Sequence, residues 1–99
     1  MNEADRALAA LRAAREEQYA AWMTMKMEEL RAEVARKRIA DLVRDGFDPQ
    51  RSPQRNQPAI HQRRAGNAGL RLRRAASKVK EAELIYGDII SRKPPHGKG

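Results

Sequence analysis

Seven basic side chains and no acid occupy the eighteen residues "RRAGNAGLRLRRAASKVK", from Arg63 to Lys80. Arg and Lys in such density do one kind of chemistry well, which is to displace counterions from a polyanion and hold its phosphates or carboxylates. In helical projection Arg71, Arg74 and Lys78 line up beside the apolar residues Leu72, Ala75, Val79 and Ala82. A helix built this way buries one side and offers the other to an anion. Arg51, Arg55, Arg63 and Arg64 precede it and extend the candidate contact as an arm. The competing view is an idle solvated face, since runs of charge are commonly that.

Charge distribution separates the two. The chain of 99 residues carries a net charge of +8. Residues 1–48 hold nine basic and ten acidic side chains, and residues 81–99 hold three of each. All of the excess therefore falls between Pro49 and Lys80, where nine basic residues meet no Asp or Glu. Such an asymmetry points to an anionic partner, nucleic acid or an acidic protein surface. With only four large aromatic rings in the chain, stacking on single strands would add little. Contacts are expected to be electrostatic and weakly sequence-specific. The stretch from Ala59 to Val79 has the outline of a helix-turn-helix, but its first helix is too short and too polar to pack.

Other chemistries find no support. The two histidines, His61 and His96, sit near no patterned Ser or carboxylate, and no glycine-rich phosphate loop follows a strand. Paired carboxylates such as Glu16-Glu17 and Glu28-Glu29 read as solvated helix charge. "MTMKM", residues 23–27, resembles an alternating thioether site for Cu(I), but on a helix Met25 points away from Met23 and Met27. No enzyme activity, metal, cofactor or small-molecule substrate is expected. The absence of Cys removes disulfides and thiolate metal sites. The longest apolar run, "YAAWM", cannot span a bilayer, the basic segment has too much Ala to anchor on one, and the acidic start is unlike a signal peptide. A soluble, cytoplasmic protein with no membrane contact is expected.

The elements that must position these groups are helices. Residues 1–46 contain no Gly or Pro before Gly46 and are dense in strong helix formers. Asn2 caps the start, Glu3 and Asp5 suit the helix dipole, Gly46 supplies a left-handed C-cap, and Phe47 folds back towards Leu42. An apolar stripe runs through Leu8, Leu11, Tyr19, Trp22, Met23, Met27, Leu30, Val34, Ile39, Leu42 and Val43. It is too irregular, and too rich in Ala and Met, for a strict heptad zipper, so a helical bundle is expected. Residues 47–69 read as a basic linker containing Pro, Gln and Gly, broken at "GNAG". A second amphipathic helix follows at 70–91, basic in its first half, and a flexible tail at 92–99.

A second helix half as long as the first leaves much of the first stripe bare. The expected architecture is thus all-α, a helical hairpin or bundle completed by homo-oligomerisation. Tyr19, Trp22, Met23, Met27, Leu30 and Val34 are the candidate oligomer or partner interface. Two functions compete: an oligomer gripping nucleic-acid backbone through Arg51, Arg55, Arg63, Arg64, Arg71, Arg74 and Lys78, or an assembly module, such as a viral accessory or structural protein, docking another protein through the long helix.

Overall fold

The computed structural model describes residues 2–92. Its element order is α1 (Glu3–Arg44), one 3-10 turn (Pro49–Arg51) and α2 (Gln57–Arg92), with no strand among the described residues. The chain is all-α. The tail expected from residue 92 onward lies, beyond Arg92 itself, outside the described residues.

Both ends of α1 are closed by local hydrogen bonds. Asn2 Oδ1 accepts from the Asp5 N–H at 2.8 Å, satisfying one of the donors a helix start leaves unpaired. At the other end Gly46 takes φ +88°, which an L side chain adopts only with strain. That turn lets the Gly46 N–H reach the Val43 carbonyl (3.0 Å) and the Phe47 N–H reach the Leu42 carbonyl (2.9 Å). The pattern is a Schellman motif. Asp48 Oδ1 then caps the 3-10 turn through the Gln50 N–H, and Ser52 Oγ accepts from the Gln54 N–H.

The linker is shorter than its composition implies. α2 begins at Gln57 rather than at residue 70 and runs for 36 residues, against 42 in α1. "GNAG" is helical throughout, so neither a break nor a helix-turn-helix exists there. Gly66 and Gly69 each cost about 1 kcal/mol against Ala in a helix. Ala65 and Ala68, buried beside them, hold the helix against α1 and offset that cost. Pro58 falls in the first turn, where no intrahelical N–H is needed.

The helices contribute to two compact units, one holding residues up to Ala20 together with those from Arg71, the other Ala21–Leu70. In the first, Leu11, Ala14 and Val79 form a buried cluster with Ala82 and Tyr86 packed against it. Ion pairs Glu3–Arg92 (3.3 Å), Arg15–Glu83 (3.6 Å) and Glu17–Lys78 (3.4 Å) show that the two helix segments run antiparallel. In the second unit Ala21, Ala32, Ala35, Ala65 and Ala68 are buried, with Met25, Ile39 and Leu42 half-buried.

Most of the covered positions follow one rule, although Leu8, Ile60, Gly69 and Ala76 are half-buried outside it. Along α1 they are 4, 7, 11, 14 and 18 in the first unit and 21, 25, 28, 32, 35, 39 and 42 in the second. Along α2 they are 61, 65 and 68 in the second unit, then 72, 75, 79, 82, 86 and 89 in the first. Among these positions steps of three and four alternate, which is a heptad repeat. The expectation of an irregular stripe is thereby corrected. Ten of these 21 positions are alanine, and several large residues of the apolar stripe stand elsewhere: Tyr19, Trp22, Met23, Met27, Leu30, Val34 and Val43 are all exposed.

Two substitutions test this account by thermal unfolding. A Cβ on Gly66 or Gly87 would meet nothing within 4 Å, and neither glycine has positive φ. Gly66→Ala and Gly87→Ala are each expected to stabilise the fold by about 0.5–1 kcal/mol. Ala68, with 0% exposure, has no room for growth, so Ala68→Leu is expected to destabilise by about 1–3 kcal/mol. A lowered melting temperature for Gly66→Ala would show that α2 is not continuous through that turn.

Candidate interaction surfaces

One seam position in the second unit is not apolar. Glu28 is buried, 6% exposed, at a step of the heptad otherwise held by Ala21 and Ala35. His61 Nδ1–H donates to Glu28 Oε2 at 2.6 Å, and Arg31 Nη1 donates to Glu28 Oε1 at 2.9 Å. Both carboxylate oxygens are therefore satisfied, as a buried ion requires. The His61 hydrogen bond holds the Glu28 carboxyl below the usual carboxylate range, burial opposes this, and Arg31 adds to the lowering. This trio was invisible in the sequence because His61 and Glu28 are 33 residues apart. The only local signal is Glu28 and Arg31 at helical spacing; the expectation that the Glu28-Glu29 pair is solvated helix charge fails at Glu28, which is buried.

Beside the trio lies a cleft of about 440 Å³ lined by Met27, Leu30, Arg31, Val34, Arg38, Gln54, Gln57 and His61, among others. Its apolar wall is part of a larger exposed face. Trp22, Met23, Met27, Leu30 and Val34 are between 39% and 57% exposed. Each of four members stands two residues after a seam position: Met23 after Ala21, Met27 after Met25, Leu30 after Glu28, Val34 after Ala32. Two residues turn a helix by about 200°, so the large side chains occupy the side of α1 away from the buried one. Tyr19, in the first unit, is exposed as well. The five residues of the interface set in the second unit thus share one helix segment, while Tyr19 belongs to the other unit. Met25 alone of the "MTMKM" methionines faces the seam, half-buried.

The basic residues sort by unit and by partner. In the second unit Arg51 lies 3.8 Å from Asp48, and Arg55 donates to the Gln50 carbonyl at 2.6 Å, so both are engaged within the turn. Arg63 and Arg64 are exposed on α2 and make no ion pair among the described residues. In the first unit the same is true of Arg71 and Arg74. Lys78 differs, reaching Glu17 Oε1 at 3.4 Å. The segment free of acids along the chain is thus not free of them in space. That pair is exposed on both sides and contributes about 0–1 kcal/mol, little enough for a phosphate to displace.

Among the described residues no set of three or more His, Cys, Asp or Glu side chains is arranged to hold a metal ion, and none of their helices is long and apolar enough to cross a membrane. No protein-family model, curated protein or solved structure matches the chain.

The lowered Glu28 pKa makes a signed prediction. A depressed carboxyl stabilises the fold fully above its unfolded pKa, about 4.3 for Glu, and the contribution is lost as pH falls through the folded value. Melting temperatures taken from pH 6 to pH 3 should fall for the wild type. Glu28→Gln, which keeps an acceptor but not the charge, should be less stable at pH 6 and show a flatter decline. A parallel decline in both would remove Glu28 from the acid response.

Proposed function

We propose that this chain is a non-enzymatic helical interaction module that docks a protein partner on the outer face of α1. One observation carries the reading: alanines hold five of the ten seam positions in the second unit, while Trp22, Met23, Met27, Leu30 and Val34 remain outside it. A chain with few large apolar residues ordinarily buries those first, because each contributes about 1.5–3 kcal/mol when removed from water. Leaving a contiguous row of them exposed is the mark of a surface completed by something else. Methionines beside a tryptophan also suit a face that must adapt to the shape it meets.

A second reading is kept for a separate observation. Arg63 and Arg64 in one unit, and Arg71 and Arg74 in the other, are exposed and unpaired among the described residues. They support contact with a polyanion, nucleic-acid backbone first and acidic protein second. Arg51, Arg55 and Lys78 are weaker members of that group, being engaged with Asp48, the Gln50 carbonyl and Glu17.

The two readings separate in one pair of experiments on the full chain. Leu30→Glu should keep the helix signal in circular dichroism and lose whatever complex, with itself or with another protein, the wild type forms. An unaltered complex would end the first reading. Affinity for a random-sequence duplex should fall linearly in log–log form as salt rises, with a slope near −0.9 per phosphate neutralised. Arg71→Glu with Arg74→Glu should flatten that slope by about two contacts. No binding at low salt would end the second.

A further inference from the structure

In the second unit α1 carries two stripes with steps of three and four, on opposite sides. The covered one holds Ala21, Met25, Glu28, Ala32 and Ala35. The uncovered one holds Met23, Met27, Leu30 and Val34, each exposed. A four-three-four spacing of large apolar residues is a coiled-coil seam that lacks its second helix. Its flanks are charged on a pattern that selects the missing helix. Lys26 and Glu33, seven residues apart and therefore on one flank, both border the stripe. Arg31 and Arg38, also seven apart, border the other flank and line the cleft beside it.

We propose that a second copy of this chain covers the stripe, the two α1 helices packing antiparallel about a two-fold axis between residues 28 and 29. The inference rests on the reading that the outer face of α1 docks a protein, and it names that protein. In this register Met27 meets the second copy's Leu30, and Met23 meets the second copy's Val34. The axis repeats both layers, so four apolar contacts form from one self-complementary stripe. Antiparallel helices bring like flanks together. Lys26 then faces the second copy's Glu33, and the symmetry doubles that pair. A parallel arrangement would set Lys26 against the second copy's Arg31, a like-charge contact that offsets the opposite-charge contact of Glu33 with the second copy's Arg38, so only the antiparallel pairing leaves a net attraction. Charge complementarity therefore favours a second copy over an arbitrary apolar helix, and the antiparallel sense over the parallel. The existing Lys26–Glu29 pair, 3.6 Å and about half exposed on both sides, is of the weak surface kind and does not hold Lys26 back.

Sedimentation equilibrium of the full chain and three charge variants tests the pairing. The wild type is expected to be a dimer. Lys26→Glu and Glu33→Lys each place like charges across the axis twice and should weaken the dimer by about tenfold or more. The double reversal Lys26→Glu/Glu33→Lys should restore the wild-type association, which a loss of fold or of helix propensity would not do. A monomeric wild type at millimolar concentration, or a double variant no tighter than the singles, overturns the proposal.

Orientation is read by oxidation, since the chain has no native Cys. Met23→Cys/Val34→Cys should form a covalent dimer, and Val34→Cys alone should not. Ready cross-linking of the single variant would mean parallel helices and overturns the proposal. A wild type that is monomeric, yet loses a complex with another protein on Leu30→Glu, also overturns the self-pairing while leaving the docking face in place.

Discussion

Everything in this structure depends on how little space the side chains between the helices occupy. Alanine has almost no apolar area to bury, so a seam made of it contributes little hydrophobic free energy per residue. What it offers is proximity. Small side chains let backbones come close and bring many atoms into dispersion contact, each contact small and the sum considerable. The same choice displaces the large residues, for a position that accepts Ala68 at 0% exposure cannot accept a leucine. At its alanine positions the seam has no room for large side chains; Met25, Ile39 and Leu42 occupy the seam positions that accept them, and Trp22, Met23, Met27, Leu30 and Val34 stand outside.

Much of the local structure was legible in the sequence. The Asn2 cap, the left-handed Gly46 and the return of the chain at Phe47 were readable because each depends on a single residue type with one conformational use. The start of α2 was not, because "GNAG" was read as punctuation. Glycine only weakens a helix, and tertiary contact at Ala65 and Ala68 outweighs that weakness. The heptad was missed for a different reason. Hydropathy gives large apolar residues more weight than alanine, so the stripe it picks out mixes two faces: Leu8, Leu11, Ile39 and Leu42 are covered, while Tyr19, Trp22, Met23, Met27, Leu30, Val34 and Val43 are exposed. The correct pattern was present in Ala7, Ala14, Ala21 and Ala35, each seven residues or a multiple apart. In a chain rich in alanine throughout, such spacing carries little contrast.

Packing redistributes charge in a similar way. Counting along the chain isolates a segment without acids, but helices in contact bring together residues far apart in number. Glu17 stands beside Lys78 and Glu28 beside His61. What survives is a smaller group, Arg63 and Arg64 in one unit and Arg71 and Arg74 in the other, whose charge no described neighbour neutralises. Helix length gives no case for a partner, because α2 is nearly as long as α1 rather than half its length. The case for a partner now rests on which side chains α1 leaves outside.

Within the second unit a shift of α1 by one heptad would put Ala32 in place of Met25, Ile39 in place of Ala32 and Leu42 in place of Ala35, so apolar packing already separates the native alignment from its neighbours. Glu28 and His61 add a polar mark to the apolar one. Displaced by seven residues, His61 would meet Ala21 or Ala35, and Glu28 would keep its burial with only Arg31 to answer it. An uncompensated buried carboxylate is among the costlier defects a small protein can carry. The pair thus works with Met25, Ile39 and Leu42 to set the alignment of the second unit, penalising displacement through charge where they penalise it through volume.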